Sequence, residues 1–346
     1  MSKIGFLNYR VKTILKSFKV LYSLPPEKLD AFLNSYNIYD HDWVNKDQLV
    51  KDMGEDYYSE VKRKLIDYYC VLNHLCSLGQ IEKMYIPPAI DLSKGIIANQ
   101  DLYEEKMSRD LGVFGPEKKI LDIGCGRGRV AAHVASFTGS NVVGINIDSD
   151  QLESAKTFAQ KKGFNEQCTF QMADLNEIPF PFPDNSFDGI YHVQVFSYSK
   201  DLKSLCKELN RILKPGGKIA CLDWVRLKYD ATNPEHEELM KRIKPLIGAI
   251  GTPSVDEYVD ALRSGGFKVL TNENASINGL QAPLIENADR FFTRLSKLIK
   301  FLVRLKVLPR HFQALFDRLT KDGEAFVQAD RMGLVTTSHY IVAQKD

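Results

Sequence analysis

No stretch of this chain stays apolar for long enough to cross a bilayer; every hydrophobic run falls short of the ~20 residues a spanning helix needs. The first residues lack an apolar core followed by small residues at a cleavage point, so no secretory signal is expected. Cysteine is present but unpatterned: Cys70, Cys76, Cys125, Cys168, Cys206 and Cys221 show no C-x-x-C or other metal-ligand spacing. The seven histidines are scattered without an H-x-x-x-H pair. Reduced thiols in a cytoplasmic setting are expected, and no metal site. Neither sign of charge dominates. With 46 basic against 44 acidic residues, the net charge of +2 gives no ground for nucleic-acid binding. Repeats and low-complexity tracts are missing as well. What is left is an ordinary globular composition of 346 residues, long enough to bury a full α/β core with further elements around it.

Against this background one stretch stands out, Ile120-Leu121-Asp122-Ile123-Gly124-Cys125-Gly126-Arg127-Gly128-Arg129. A short apolar run enters a turn with three glycines, and Arg129 to Phe137 then continues at helical spacing. The glycines leave no side chain where the backbone must turn sharply and a ligand must come close. The helix start supplies unpaired N–H groups. A mononucleotide or dinucleotide site uses the same physics. The acid before the first glycine changes the balance, because a diphosphate favours a neutral or basic rim. Asp122 suits a cationic ligand with an amino-acid tail instead. The pattern D-x-G-x-G-x-G resembles the signature of class I S-adenosylmethionine (SAM) methyltransferases. That resemblance implies a SAM site at Asp122, Gly124, Cys125, Gly126 and Gly128.

The same resemblance extends downstream. In that class an acid ending strand two usually binds the ribose hydroxyls, and here the position is Asn146. An amide can both donate and accept between two hydroxyls, though without charge assistance. Gln151, at the start of the next helix, either shares this task or is a plain surface amide. Ala173-Asp174 follows strand three. Its carboxylate fits the adenine amino group and its backbone a ring nitrogen; an ordinary helix cap is the alternative.

The spacing predicts strands at 119–123, 141–147, 169–172, 187–195 and 218–224, with helices at 151–162 and 202–213 between them. Lys214-Pro215-Gly216-Gly217 reads as a turn that stops a helix and starts a strand. Such alternation specifies a doubly wound, parallel, Rossmann-like α/β sheet, which binds ligands at its carboxyl edge near the switch point. Residues 1–113 are expected to form a helical N-terminal region, 114–226 the SAM-binding core, and 227–346 a C-terminal substrate-side region that completes the sheet.

Charge is uneven in two places. Residues 1–26 carry Lys3, Arg10, Lys12, Lys16 and Lys19 without an acid, and residues 290–310 carry seven basic residues without one. Both fit basic amphipathic helices able to lie on an anionic membrane surface, or helices packed on the domain with solvated lysines. For the first segment the two readings stand level. For the second, packing is preferred, because the segment lies inside the folded region. A cytoplasmic protein, peripheral on the endoplasmic reticulum membrane if these helices engage it, is the resulting expectation. The sequence leaves the oligomeric state open.

Beyond the cofactor motifs the chain resembles the sterol C-methyltransferases over roughly residues 95–346. Gly144-Ile145-Asn146 with Gln151, Asp223-Trp224-Val225, Asn233-Pro234-Glu235-His236 and Met332-Gly333-Leu334-Val335 carry this likeness. It implies transfer of a methyl group from SAM to a sterol alkene at side-chain carbon 24. Two positions depart from the family. A glutamate and a histidine after strand four are replaced by Gln194 and Tyr198, and the family's Y-E-Y-G-W-G segment has only Tyr68–His74 as a local counterpart. Ring carbon 4 is therefore slightly preferred over carbon 24, as in nematode-type relatives. Tyr198, His192 and Gln194 are the candidate catalytic residues, with Glu104, Glu105 and Asp223 as further proton handlers. Methylation of another lipophilic small molecule, or SAM or sterol binding without turnover, are the alternatives.

Overall fold

The computed structural model describes residues 3–41, 46–54 and 56–346. The side chains of Lys3, Ile4, Phe6, Leu7 and Arg10, which carry part of the first basic segment, lie outside the described residues. The chain divides into two compact units, each assembled from three separate stretches. Unit 1 takes residues 1–84, 232–248 and 282–329, and unit 2 takes residues 85–231, 249–281 and 330–346.

Unit 1 is helical. With helices numbered along the chain, it holds α1 (Lys3–Tyr22), α2 (Pro26–Ser35), α3 (Lys46–Met53), α4 (Tyr57–Leu78), α9 (Pro234–Ile247), α11 (Ala282–Arg304), α12 (His311–Leu319) and most of α13 (Gly323–Arg331). Pro26 opens α2 at its first turn, where a missing N–H costs nothing. In α4 the residues Val61, Leu65, Tyr68, Leu72 and Leu75 recur every three or four positions and are buried. Of these, Tyr68, Leu72 and Leu75 pack with Leu21, Phe32, Phe312 and Phe316 into one core. Tyr68–His74 thus lies in the middle of a core helix. The Arg318 guanidinium covers the Tyr36 ring at 3.8 Å.

Unit 2 holds the sheet, with α5 (Ile96–Leu111), α6 (Arg129–Thr138), α7 (Ser149–Lys162), α8 (Leu202–Ile212) and α10 (Val255–Ser264). Its strands are β1 (Lys119–Ile123), β2 (Asn141–Asn146), β3 (Cys168–Met172), β4 (Phe187–Val193), β5 (Leu213–Arg226), β6 (Phe267–Asn274) and β7 (Val335–Lys345). The order is β3-β2-β1-β4-β5-β7-β6. The first five strands run parallel. β7 inserts antiparallel between β5 and β6, so the expected parallel five-strand sheet is completed from the C-terminal region by an antiparallel pair. Sequence order reverses between β1 and β4, which makes their carboxyl ends the switch point. Residues 214–217 turn after the end of α8, with Gly216 at φ +74°. They run within β5, and the register with β4 shifts between Phe187 and Gly189 to absorb them.

Candidate functional site

β1 is buried on both faces, as a central parallel strand must be, and it delivers Asp122 to the switch point. The turn that follows is pinned to β2: the Gly124 and Cys125 N–H groups both donate to the Ile145 carbonyl, at 2.9 and 3.0 Å. Gly124 has φ +71°, and a Cβ there would stand 2.5 Å from Val195. That glycine is demanded by the protein's own packing. Gly126, with φ +51°, differs, since the one side chain an added Cβ would meet is Gln151, at 3.2 Å from Oε1. Gly128 then caps α6. The Cys125 thiol is buried, and desolvation holds it protonated.

Asp122 is 3% exposed, and its Oδ2 has no hydrogen-bond partner among the described residues. Burial pushes its carboxyl up to about 7; the nearby Tyr191 hydroxyl opposes this and the Glu104 charge adds to it. Tyr191 is the residue aligned with Asp122 in β4, yet its hydroxyl closes no bond of acceptable geometry either. Trp224 Nε1, at the same edge on β5, is likewise buried and unbonded. Buried polar atoms are rarely left this way unless something else completes them.

Asn146 ends β2 and accepts the Ile147 N–H on Oδ1 at 2.8 Å, which leaves its amide nitrogen uncommitted. Asp148 caps α7 by accepting from the Asp150 and Gln151 N–H groups, and its other oxygen accepts from Gln151 Nε2 at 3.0 Å. This fixes the Gln151 amide, with Oε1 toward Gly126. After β3, Ala173 N–H donates to the Asn146 carbonyl at 3.1 Å, and Asp174 Oδ1 accepts the Asn176 N–H at 2.9 Å. Ala173 and Asp174 also line an open cavity of about 530 Å³ together with Met172, Glu177 and Ile178. The structure therefore brings the turn, Asn146 and Gln151 together, and puts Asp174 both in a turn cap and at a cavity wall.

The residues after β4 are differently employed. Gln194 has φ +56° and its amide is fully engaged. Nε2 donates to the carbonyls of Ile86 at 2.8 Å and Thr337 at 2.9 Å, while Oε1 accepts the Ile86 N–H at 3.2 Å. Gln281 completes the clasp, donating to the Pro87 carbonyl and accepting from Thr337 N–H and Oγ1. Segment 85–91 has no regular structure, yet side chains from four other places in unit 2 satisfy it. Gln100 donates to the Tyr85 carbonyl, Ser276 accepts the Ala89 N–H, and Asn99 accepts from Ile90 and Asp91.

His192 is wholly buried, stacked on Phe196 at 3.6 Å, with Nε2 2.8 Å from the Tyr258 hydroxyl. Desolvation lowers its pKa to about 3, so it is neutral at physiological pH. Asp223 accepts the Phe196 and Trp224 N–H groups at 3.0 and 2.9 Å, with the Tyr258 hydroxyl at 3.4 Å. Burial raises Asp223 to about 7 against those hydrogen bonds. It thereby holds the 3₁₀ turn Phe196–Tyr198, whose Tyr198 is buried and takes the Asn176 amide on its carbonyl at 3.0 Å. Glu104 is buried and joins the Tyr85 hydroxyl at 2.7 Å to His133 at 2.5 Å, while Glu105 pairs with Arg109 at the surface. Asp101, Glu104 and His133 bring ligand-type atoms within 4.8 Å of one another, but both Glu104 oxygens already serve those hydrogen bonds.

Sequence reading did not single out Tyr258 or the two-glutamine clasp. Tyr258 had a signal: it falls in the apolar stripe Val255, Tyr258, Val259, Leu262 of α10, and a phenol inside a core stripe must find a polar partner. The clasp had none, because its partners lie 108 and 143 residues from Gln194.

Comparison with known proteins agrees with this geometry. Residues 121–221 match the family model of a methyltransferase domain, and the fold is that of class I SAM methyltransferases. A solved geranyl diphosphate C-methyltransferase from Streptomyces coelicolor superposes with TM-score 0.58 at 18% identity, covering 77% of this chain and 92% of that one. Among curated proteins the chain resembles sterol C-methyltransferases. It is 34% identical over 202 residues to the sterol 24-C-methyltransferase of Aspergillus fumigatus, 58% of this chain and 50% of the relative. With the cycloartenol-C-24-methyltransferase of Arabidopsis thaliana it shares 27% over 258 residues, 70% of this chain and 75% of that one. The chain thus spans about half the length of the Aspergillus protein and three quarters of the plant one. No helix among the described residues is long and apolar enough to cross a membrane.

Proposed function

We propose that this protein is a SAM-dependent C-methyltransferase that acts on a sterol, at ring carbon 4 in preference to side-chain carbon 24. The observation that carries the cofactor assignment is the unbonded Asp122 carboxylate oxygen beside the uncrowded Gly126 backbone. Asp122 would meet the amino-acid tail, Gly124, Cys125, Gly126 and Gly128 would form the turn around it, Asn146 and Gln151 would hold the ribose, and Ala173 with Asp174 the adenine. SAM supplies an electrophilic methyl group; the protein's part is to orient, to exclude water and to manage one proton. The likeness to sterol methyltransferases supports the substrate class.

The preference for carbon 4 rests on what stands after β4. Gln194 is engaged by three backbone groups and serves as a clamp, not a proton handler. His192 is neutral and enclosed. Tyr198 remains the candidate to touch substrate, on a turn that Asp223 holds. Methylation at carbon 4 needs a donor to polarise the 3-oxygen and an acceptor for the carbon-4 proton, and a phenol suits the first task.

Purified protein with isotopically labelled SAM and a panel of sterols tests this, the product being located by mass spectrometry and NMR. A methyl on ring carbon 4 is expected. A methyl on carbon 24 overturns the regiochemistry and keeps the sterol. Label on a non-sterol lipid, or SAM binding without turnover on any sterol, overturns the substrate class.

A further inference from the structure

Unit 1 ends one of its helices in a way that its own core does not explain. On α11 the solvent face carries Phe291, Leu298 and Phe301, and Leu305 follows just past the helix end, each at least half exposed, with Phe301 at 55% and Leu305 at 57%. They follow one another at spacings of seven, three and four, so they form a single stripe. The adjoining face, with Leu295, Ile299, Leu302 and Val303, packs into the helical core. Burying one stripe satisfies a surface helix; a second apolar stripe left in water calls for a second apolar medium.

Charge on the same stretch indicates which medium. From Arg290 to Arg310 there is no acid. Lys300 lies 2.5 Å from Asp317 and belongs to the fold. Arg294, Lys297, Arg304, Lys306 and Arg310 have no carboxylate partner among the described residues. Three of these, Arg304, Lys306 and Arg310, line one open hollow of about 600 Å³ with Tyr22, Val307 and Gln313. α12 begins at this hollow, at Arg310, without a side-chain cap, so its first N–H groups add to the positive potential. Val307, 57% exposed, stands on the rim beside Leu305. Apolar groups that project next to unpaired cations match an anionic lipid interface, with acyl chains against the stripe and a phosphate headgroup among the cations. A nucleic acid would leave the stripe wet. A second copy of the chain would set like charges against each other.

We propose that the α11 stripe and the Arg304–Lys306–Arg310 hollow form a docking site for an anionic phospholipid bilayer. The site is independent of what unit 2 methylates. Segment 290–310 thereby does both things considered for it, one face packing and the other binding lipid.

The full chain is tested by co-sedimentation with phosphatidylcholine vesicles, with and without phosphatidylserine, in three forms: unaltered, Phe301→Ser with Leu305→Ser, and Arg304→Gln with Lys306→Gln and Arg310→Gln. All these positions are exposed, so circular dichroism should be unchanged. The unaltered chain should bind phosphatidylserine vesicles and weaken as salt rises. The triple variant should lose about a hundredfold, about fivefold per cation, and the double variant about tenfold or more. Equal binding by all three forms overturns the site. Loss in the triple variant alone reduces it to electrostatic adsorption and overturns the role of the stripe. A dimer in light scattering that the double variant abolishes assigns the stripe to a second copy, and strong inhibition by millimolar phosphate alone assigns the hollow to a free anion; either overturns the proposal. Turnover of detergent-dispersed sterol should be the same in all three forms, which separates this test from that of the methyltransferase reading.

Discussion

The two halves of the sheet's carboxyl edge treat their polar groups in opposite ways. On the side of β1, β2 and β3, groups are left over: Asp122 Oδ2 has no partner among the described residues, Asn146 uses its oxygen and keeps its nitrogen, and Gly126 faces open space apart from Gln151. On the side of β4, β5 and β7, the glutamine amides and the Asp223 carboxylate are already taken, although Tyr191 Oη and Trp224 Nε1 are not. Gln194 and Gln281 tie residues 86 and 87 to Thr337, and Asp223 holds two backbone amides. A polar residue at a strand end is thus no evidence of a site by itself. What distinguishes the first half is an unfinished carboxylate beside a bare glycine backbone, and what distinguishes the second is that its Gln194 and Asp223 side chains are committed to backbone groups across long sequence separations.

The sharpest way to break this contrast is at Gln194. Gln194→Glu removes both donors and turns a charge toward two carbonyls, leaving part-buried backbone groups unmatched. The variant should lose about 3–5 kcal/mol of stability in urea unfolding, at roughly 1–3 kcal/mol per abandoned group. If the family's glutamate chemistry were merely dormant here, the same change would raise turnover at unchanged stability, and the clamp would be refuted. On the other half, Gly126→Val puts a β-branched side chain at φ +51° and should cost about 1–2 kcal/mol of stability, while SAM affinity falls a hundredfold or more, about 3 kcal/mol. Isothermal titration reads this directly. Unaltered affinity would remove SAM from the turn.

Asp122 offers a pH-dependent version of the same contrast. Its carboxyl lies at about 7 in the fold, against 3.8 as the ordinary value. A raised acid binds its proton more tightly folded than unfolded, so its stabilising contribution is complete below about 4 and is lost as pH rises toward 7. His192, lowered to about 3, works the other way, gaining between about 3 and 6.5. Asp223, also raised to about 7 by burial, loses stability over the same range as Asp122, so the parent curve mixes all three and is a poor readout alone. Subtracting the curve of Asp122→Asn isolates the acid. That variant should gain about 2–3 kcal/mol on the parent between pH 5 and pH 8. A difference that stays flat would mean that Asp122 is solvated, not buried awaiting a ligand.

The contrast also explains what could be read from the chain beforehand. The glycine turn, the helices at 151–162 and 202–213, and the five parallel strands each depend on neighbours within a few residues, so spacing revealed them. β7 inserts between β5 and β6 through pairings that join residues 218–226 to 335–344, and no local pattern encodes an insertion of that kind. The same holds for Gln194, whose replacement of a family glutamate reads in the sequence as lost chemistry and whose amide in the fold ties residue 86 to Thr337. His192 was visible as a titratable side chain in an apolar strand, but only the Phe196 and Tyr258 rings around it show why it stays neutral.

The smallest of these effects falls on Asp174, where both halves of the contrast meet in one residue. Oδ1 already accepts the Asn176 N–H, while the side chain also lines the cavity after β3. Asp174→Ala removes the turn cap and any acceptor for an adenine amino group, so it should weaken SAM by about 1–2 kcal/mol and also cost stability. Asp174→Asn divides the two roles. Its carbonyl oxygen can still take the Asn176 N–H, but the second atom becomes a donor facing the adenine amino group, which also donates. Stability should therefore recover with Asn while SAM affinity does not. If both recover together, Asp174 is a cap alone, and adenine recognition falls to the backbone at Ala173 and the walls of the cavity.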